Sequence, residues 1–145
     1  MSVDRNTMIL VVDDEWLMIE IITSLLKRSG FENVDFASDG GGALAQMRQK
    51  AYGLVISDLN MDGMSGLKLV RAVRQDPDLR ATPFILTTAS PVIENAVAAK
   101  QAGVDLYLLK PFTAEVLKQK VHAALSRGAS TAPPVGVSES SQSAA

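Results

Sequence analysis

The chain has 145 residues, of which 47% are hydrophobic and 21% charged, and its formal net charge is −2. The length and composition are typical of one soluble globular domain. The net charge is unlike that of a general binder of nucleic acid or membrane surfaces. With no cysteine and a single histidine, His122, the chain has no disulfides, thiolate metal sites or histidine-cluster sites. Any bound metal must therefore be held by oxygen, which favours a hard cation such as Mg²⁺. No apolar stretch is long enough to span a membrane and the N-terminus does not have the layout of a signal peptide, so we expect a cytoplasmic protein.

Short apolar runs alternate along the chain with longer segments of helical periodicity. In the first half, the predicted elements are a strand at 8–12, a helix over about 15–29 that stops at Gly30, a strand at 31–36, a helix with core residues Ala43, Leu44 and Met47, and a strand at 54–58. In the second half, they are a helix carrying Leu67, Val70 and Val73, a strand at 83–87, a helix carrying Ile93, Ala96, Val97 and Lys100 that ends at Gly103, a strand at 106–109, and a helix capped by Thr113.

Strands that alternate with helices of this length predict an α/β fold, with a parallel sheet covered on both faces. The nearly continuous apolar character of the first, third, fourth and fifth strands supports burial on both sides. Because right-handed crossovers leave few topologies, the five strands and five helices suit the doubly wound, flavodoxin-like order 2-1-3-4-5. Ligands of such sheets bind beyond the C-terminal strand ends where the strand order reverses, which here lies between the first and third strands.

The two ends of the chain differ from its middle. We expect a flexible N-terminus over residues 1–7 and one folded domain over residues 8–127. Residues 128–145 contain small residues, two adjacent prolines and several serines without an apolar period. This segment is therefore predicted to be a disordered tail or the start of a linker.

Polar residues follow four of the predicted strands at the point where each strand ends. They are Asp13, Asp14, Asp58, Thr88 and Lys110. One aspartate after a strand is often only a turn or cap residue, but the ends of parallel strands share one edge, so we expect these side chains to converge. Two carboxylates about 4 Å apart repel by about 4 kcal/mol at an effective dielectric near 20. A divalent cation such as Mg²⁺ would remove that repulsion.

This group of side chains suits phosphoryl transfer, in which positioning and charge stabilisation dominate. Asp58 is the predicted nucleophile, which receives the phosphoryl group as an acyl phosphate while the metal bridges Asp58 and the phosphate. Lys110 would pair with one phosphate oxygen, and Thr88 would donate a hydrogen bond to another.

At these residues the sequence resembles the receiver domains of bacterial response regulators, in particular the single-domain, CheY-like type of two-component signalling. The matching stretches are VVDD at 11–14, ISDLNM at 56–61, TA at 88–89 and KPF at 110–112. Each stretch is short, but together their order and spacing are specific. The resemblance covers about residues 8–125 and implies that the folded unit over 8–127 is a receiver domain.

The resemblance implies a role for each residue of the phosphoacceptor site. Asp58 would receive the phosphoryl group from a histidine kinase or a phosphotransfer protein. The Mg²⁺ ligands would be Asp13, Asp14, Asp58 and the backbone carbonyl of Asn60. Lys110 would neutralise the phosphate, and its peptide bond to Pro111 should be cis. The domain would act in signalling and not as an enzyme, with at most slow self-dephosphorylation.

The resemblance also implies a conformational switch. Thr88, which alanine follows, matches the switch hydroxyl, and Tyr107 matches the switch aromatic, although a strand tyrosine is also commonly buried for packing alone. Phosphorylation would draw Thr88 inward, let Tyr107 rotate, and change the surface of the fourth helix, fifth strand and fifth helix for a downstream effector protein. The candidate surface residues are Pro91, Ile93, Ala96, Tyr107 and Lys120. Neither a nucleic acid nor a membrane is an expected partner.

One residue departs from the family pattern. Proline usually stands four residues after the phosphoacceptor, whereas this chain has Asp62 followed by Gly63. The Asp62–Gly63 pair still favours a turn. The additional carboxylate either tunes metal affinity or phosphoryl lifetime, or is an ordinary exposed turn residue.

Three other interpretations fit parts of the sequence. The chain could be a receiver module of a longer multidomain regulator. A metal-dependent phosphohydrolase with an aspartyl intermediate would place Asp-x-Asp after the first strand, whereas residues 13–16 read DDEW. A dinucleotide-binding enzyme would place its glycine fingerprint after the first strand, whereas GGGALA at 40–45 follows the second.

His122, on the last predicted helix, is expected to be a surface residue and not a phosphohistidine.

Overall fold

The computed structural model of the chain describes residues 4–89 and 93–129. Its elements in chain order are β1 (Ile9–Val12), α1 (Trp16–Arg28), β2 (Val34–Ala37), α2 (Gly40–Gln49), β3 (Leu54–Asp58), α3 (Gly66–Gln75), β4 (Phe84–Thr88), α4 (Ile93–Ala102), β5 (Leu106–Leu109) and α5 (Ala114–Ala129). All neighbouring strands pair in parallel, in the order β2-β1-β3-β4-β5. The predicted doubly wound α/β fold is confirmed. Within the two described ranges, no helix has the length and apolar character needed to cross a membrane.

The sheet separates two hydrophobic layers, because successive strand residues point to opposite faces. The side that packs on α1 and α5 is called the α1–α5 face, and its buried strand residues are Ile9, Val11, Leu54, Ile56, Ile85 and Leu108. The side that packs on α2, α3 and α4 is called the α2–α4 face, and its buried strand residues are Leu10, Val12, Ala37, Val55, Phe84 and Leu86. The complete burial of β1, β3 and β4 matches the predicted cover on both sides.

The second strand begins three residues later than predicted, at Val34 instead of Phe31. The reason is the way in which α1 ends. Gly30 has a φ of 96°, and its N–H donates to the Lys27 carbonyl. The Phe31 N–H donates to the Leu26 carbonyl, which completes a Schellman motif. Phe31 is then fully buried beside Leu26 on the α1–α5 face, so the residue predicted to start the strand closes the preceding helix.

The fourth helix presents a different face to the core from the one that its larger apolar residues indicate. It ends before Gly103, which has a φ of 101°, as predicted. Ala99 and Ala102 are buried, whereas Ala96 and Val97 are exposed. Small residues therefore allow α4 to pack closely on the α2–α4 face.

The last helix begins where the sequence predicts and extends past the predicted domain boundary. The Thr113 hydroxyl accepts the Val116 N–H at 3.1 Å, which is an N-cap hydrogen bond. The helix continues to Ala129, two residues beyond position 127, and residues 130–145 lie outside the described part of the chain. His122 is half-buried and its ring packs edge to face on Phe31, with centroids 6.4 Å apart. Burial lowers the pKa of His122, and Arg5 and Lys118 lower it further.

Candidate functional site

Three carboxylates meet at the C-terminal ends of β1 and β3. These strands are neighbours, with Val12 opposite Ser57, so the residues that follow them are adjacent at the sheet edge. One oxygen from each of Asp13, Asp14 and Asp58 lies within 4.8 Å of the other two. Asp13 and Asp58 are buried, whereas Asp14 is exposed. The structure therefore brings together the three aspartates that the sequence indicates.

Lys110 supplies the positive charge of this group. Its Nζ lies 3.1 Å from Oδ1 of Asp58 and 3.3 Å from Oδ2 of Asp13. The Lys110 N–H donates to the Thr88 carbonyl at 2.7 Å, so backbone pairing between β4 and β5 continues to the lysine and directs it to the site. The bond between Lys110 and Pro111 is cis, as the resemblance implies.

The site carries more negative than positive charge. Burial raises the pKa of Asp58, the Lys110 ammonium opposes this shift, and the Asp13 carboxylate adds to it, so that the net change is upward. Burial alone would lower the pKa of Lys110, but the carboxylates of Asp13 and Asp58 outweigh burial and raise it. Three carboxylates and one ammonium leave two uncompensated negative charges. Oxygen ligands at this spacing fit a divalent cation such as Mg²⁺.

Two backbone N–H groups orient the carboxylates at the end of β1. Oδ1 of Asp13 accepts the Glu15 N–H at 2.9 Å, so this aspartate closes the turn before α1 as well as facing Lys110. Oδ2 of Asp14 accepts the Asp62 N–H at 3.4 Å from the loop after β3. Proline at position 62 would have no N–H for this contact. The Asp62 side chain is exposed in that loop, as is Asn60, the fourth predicted ligand residue.

The packing behind Asp58 depends on a glycine that the sequence patterns did not single out. Gly66 begins α3, directly after Ser65, whose hydroxyl accepts the Lys68 N–H at 3.2 Å. A Cβ at Gly66 would collide with the Asp58 carbonyl oxygen and would lie 2.7 Å from Cδ1 of Leu86. The missing side chain lets α3 approach the end of β3 closely. A glycine directly after a serine cap was the available signal in the sequence.

The two predicted switch residues lie on the α2–α4 face. Thr88 ends β4 and is fully buried. Tyr107 is half-buried, packs against the core of this face and pairs in register with Leu86, two residues before Thr88. Asp58 continues the alternation of Leu54 and Ile56 on the opposite face. The predicted switch pair thus lies on the α2–α4 face, and the charged cluster lies at the C-terminal ends of the strands.

Part of the predicted effector surface falls within the described side chains. Ala96 is exposed, and Tyr107 and Lys120 are half-buried. Pro91 and the side chain of Ile93 lie outside the described part of the chain. The same region of α4, β5 and α5 also exposes three larger apolar side chains, which are Val97, Leu109 and Val116.

Comparison with known proteins identifies the family to which this arrangement of residues corresponds. The profile described as the response regulator receiver domain matches residues 9–122. The chain belongs to the response regulator receiver family. Receiver domains are signalling domains of two-component systems that generally bind Mg²⁺ at an acidic pocket and interact with histidine kinases and downstream effectors. The structure of this receiver domain contains an acidic cluster, formed by Asp13, Asp14 and Asp58, at the ends of β1 and β3.

Individual relatives of this receiver domain include single-domain and longer proteins. The chain is 42% identical over 119 residues to the chemotaxis protein CheY of Pseudomonas aeruginosa, an alignment that covers 82% of this chain and 96% of that protein. The structure of chemotaxis protein CheY4 of Vibrio cholerae is similar with a TM-score of 0.78 and 32% identity, covering 83% of this chain and 99% of that one. The structure of NtrX from Brucella abortus is similar with a TM-score of 0.79 and 29% identity, covering 86% of this chain and 28% of that one.

Proposed function

We propose that this receiver domain is a phosphorylation switch in which Asp58 accepts a phosphoryl group from a histidine kinase or a phosphotransfer protein. The observation that carries the proposal is the buried Asp58 carboxylate, with Lys110 Nζ at 3.1 Å and two further aspartates within 4.8 Å. An Asp58 oxygen would attack phosphorus and form a P–O bond, while the P–N bond to the donor histidine breaks. The donor imidazole keeps the electron pair of that bond and takes up a proton.

The residues of the site would have separate roles in this transfer. Mg²⁺ would neutralise charge on the incoming phosphate when it is held by Asp13, Asp14, Asp58 and the backbone carbonyl of Asn60. Lys110, which pairs with Asp58 in the unphosphorylated chain, would bond a phosphate oxygen, and Thr88 would donate to another. Asp58 is only 7% exposed, and this burial limits access of water to the acyl phosphate. Self-dephosphorylation should therefore be slow.

We further propose that the α4–β5–α5 surface binds the downstream effector protein. The support is the position of Thr88 and Tyr107 on one face of the sheet, next to the strand end that carries Lys110. The apolar side chains exposed on that surface suit a protein partner. A cytoplasmic location stays a prediction from the sequence. The match to NtrX covers 28% of that chain, which is compatible with the alternative of a module within a longer regulator.

The phosphoacceptor proposal is tested by incubation with acetyl phosphate and Mg²⁺, followed by intact mass measurement. The wild type should gain one phosphoryl group, and Asp58→Asn should gain none because the amide is not a nucleophile for this reaction. Asp62→Asn removes an exposed carboxylate from the neighbouring loop and should still be labelled. A chelator should abolish labelling of the wild type. Labelling of Asp58→Asn, or no labelling of the wild type across a range of donor concentrations, would contradict the proposal.

A further inference from the structure

A second threonine hydroxyl lies beside the proposed phosphoacceptor. Thr87 is the residue before Thr88 in β4, and it is 1% exposed. In the parallel register it is the partner of Asp58 in β3 and of Leu108 in β5. Because strand residues alternate, Thr87 shares the α1–α5 face with Ile85 and Asp58, whereas Thr88 lies on the other face.

The Thr87 hydroxyl has no hydrogen-bond partner among the described residues. A buried hydroxyl in this condition destabilises a fold, because it has lost its contacts with water and has gained none in return. Valine has nearly the same shape and would occupy the position without an unpaired polar atom. No described residue of the unphosphorylated chain therefore uses this hydroxyl as a hydrogen-bond partner.

The complementary group is an unused donor on Lys110. A lysine ammonium has three N–H donors, and within the described residues that of Lys110 bonds Asp13 and Asp58 and no other group. Lys110 follows β5 two residues after Leu108, which is the register partner of Thr87. The unpaired hydroxyl and the incompletely paired ammonium thus both neighbour Asp58 at the same end of the same sheet face.

We propose that Thr87 is a positioning residue of the phosphoacceptor site, whose hydroxyl accepts the third N–H of Lys110, directly or through one water molecule, once Asp58 carries a phosphoryl group. The new phosphate oxygens compete with the Asp58 carboxylate for the ammonium. The Thr87 hydroxyl, as an additional acceptor at the base of the site, then holds the Lys110 ammonium in the orientation in which it donates to the phosphate. This inference rests on the proposed function, because the hydrogen bond forms in the phosphorylated state.

The test is titration of the purified chain with beryllofluoride, a mimic of the phosphoryl group, in the presence of Mg²⁺. Thr87→Val should weaken beryllofluoride binding about tenfold, which is the effect of losing one hydrogen bond to a charged group. Thr87→Ser retains a hydroxyl and should bind nearly as the wild type does. The ¹⁹F spectrum of the bound fluorides should shift in Thr87→Val, since Lys110, in its proposed role, would be one of the groups that contact them.

The matched control is Thr23→Val. The Thr23 hydroxyl is also buried and unpaired among the described residues, but it lies on α1 and not at the strand ends. Both valine variants should unfold at the same or a higher urea concentration than the wild type, and Thr23→Val should leave beryllofluoride affinity and the ¹⁹F spectrum unchanged. Equal affinity of Thr87→Val and wild type would overturn the role of Thr87 alone. Absence of beryllofluoride binding by the wild type would overturn the proposed function and this inference together.

Discussion

In each of two clusters of aspartate and lysine in this molecule, the pKa of one carboxylate is shifted, and the two shifts have opposite directions. In the site cluster at the strand ends, burial raises the pKa of Asp58 although Lys110 Nζ is 3.1 Å away. In the edge cluster on β2, Asp35 accepts the Tyr52 hydroxyl at 2.6 Å and the Lys50 ammonium at 2.9 Å. The hydrogen bond from Tyr52 has the larger effect, and with Lys50 it lowers the pKa of Asp35.

The difference between the clusters is their charge balance. The edge cluster has one carboxylate, one ammonium and one phenol, so it is complete within the folded chain. The site cluster has three carboxylates around one ammonium, and two of those carboxylates are buried. A balanced cluster stabilises the fold by itself, whereas the repulsion within a cluster of excess negative charge favours binding of a cation. The comparison thus separates a charge-balanced cluster from one with excess negative charge.

Among the substitutions in the two clusters, removal of the lysine should have the largest effect on the free energy of unfolding, and mainly in the site cluster. Lys110→Met leaves Asp13 and Asp58 buried without a cation, so we expect a loss of about 3 kcal/mol in the free energy of unfolding without metal at neutral pH. Urea denaturation measures this loss, and Mg²⁺ should reverse part of it. The matched variant is Lys50→Met, which removes an exposed ion pair and should cost about 0.5 kcal/mol. Equal losses in the two variants would show that the clusters do not differ as proposed.

Replacing the aspartate by asparagine should change the free energy of unfolding in opposite directions in the two clusters. Asp58→Asn relieves repulsion and should stabilise the metal-free chain by about 1–2 kcal/mol at neutral pH, whereas Asp35→Asn weakens two hydrogen bonds and should destabilise it by about 1 kcal/mol. The folded pKa of Asp58 is raised, so the wild type gains stability as pH falls from that value towards the unfolded value of about 3.9. The advantage of Asp58→Asn should therefore disappear in acid. Urea titrations at several pH values with a chelator present measure both effects.

Removing the Tyr52 phenol should have the smallest effect on stability. The underlying contribution of Asp35 depends on pH in the opposite sense to that of Asp58. Because the pKa of Asp35 is lowered in the folded chain, the stability that this carboxylate contributes is present above a pH of about 3.9. It is lost as the pH falls through the folded pKa. Tyr52→Phe removes the main cause of that shift and should cost about 0.5 kcal/mol at neutral pH. The deficit should shrink in acid, where Asp35 is protonated, and a deficit independent of pH would indicate lost packing instead. Thermal denaturation at a series of pH values measures this change.

The sequence was sufficient where its signals are local or follow from chain topology. Four apolar runs that end in polar residues predicted four of the five strands, and the handedness of crossovers left few topologies, of which the order 2-1-3-4-5 suited five strands. Asp13, Asp58 and Lys110 could be assigned to one edge because parallel strands end together. Asn60, in its exposed loop, was assigned only through the resemblance to receiver domains.

The first helix shows where periodicity is not enough. Its apolar residues come in adjacent pairs, and only one helix face can pack on the sheet. Ile22 and Leu26 are buried, whereas Leu17 is 69% exposed and Ile21 is 40% exposed. Trp16 is also exposed and contacts Phe36 edge to face, with ring centroids 5.1 Å apart. The choice between faces depends on the sheet and on α5, which the local pattern does not contain.

By itself, the sequence determined the fold, the edge at which the site lies and the residue types that meet there, because these depend on hydrophobic periodicity and on strand direction. Only the tertiary structure decided which of two adjacent threonines shares a face with Asp58, and that Asp35 and Tyr52, 17 positions apart, form a hydrogen bond. Both facts depend on strand register and on loop closure. A shift of one residue in register exchanges the two faces of a strand without changing its composition, so contacts between elements are needed to choose between them.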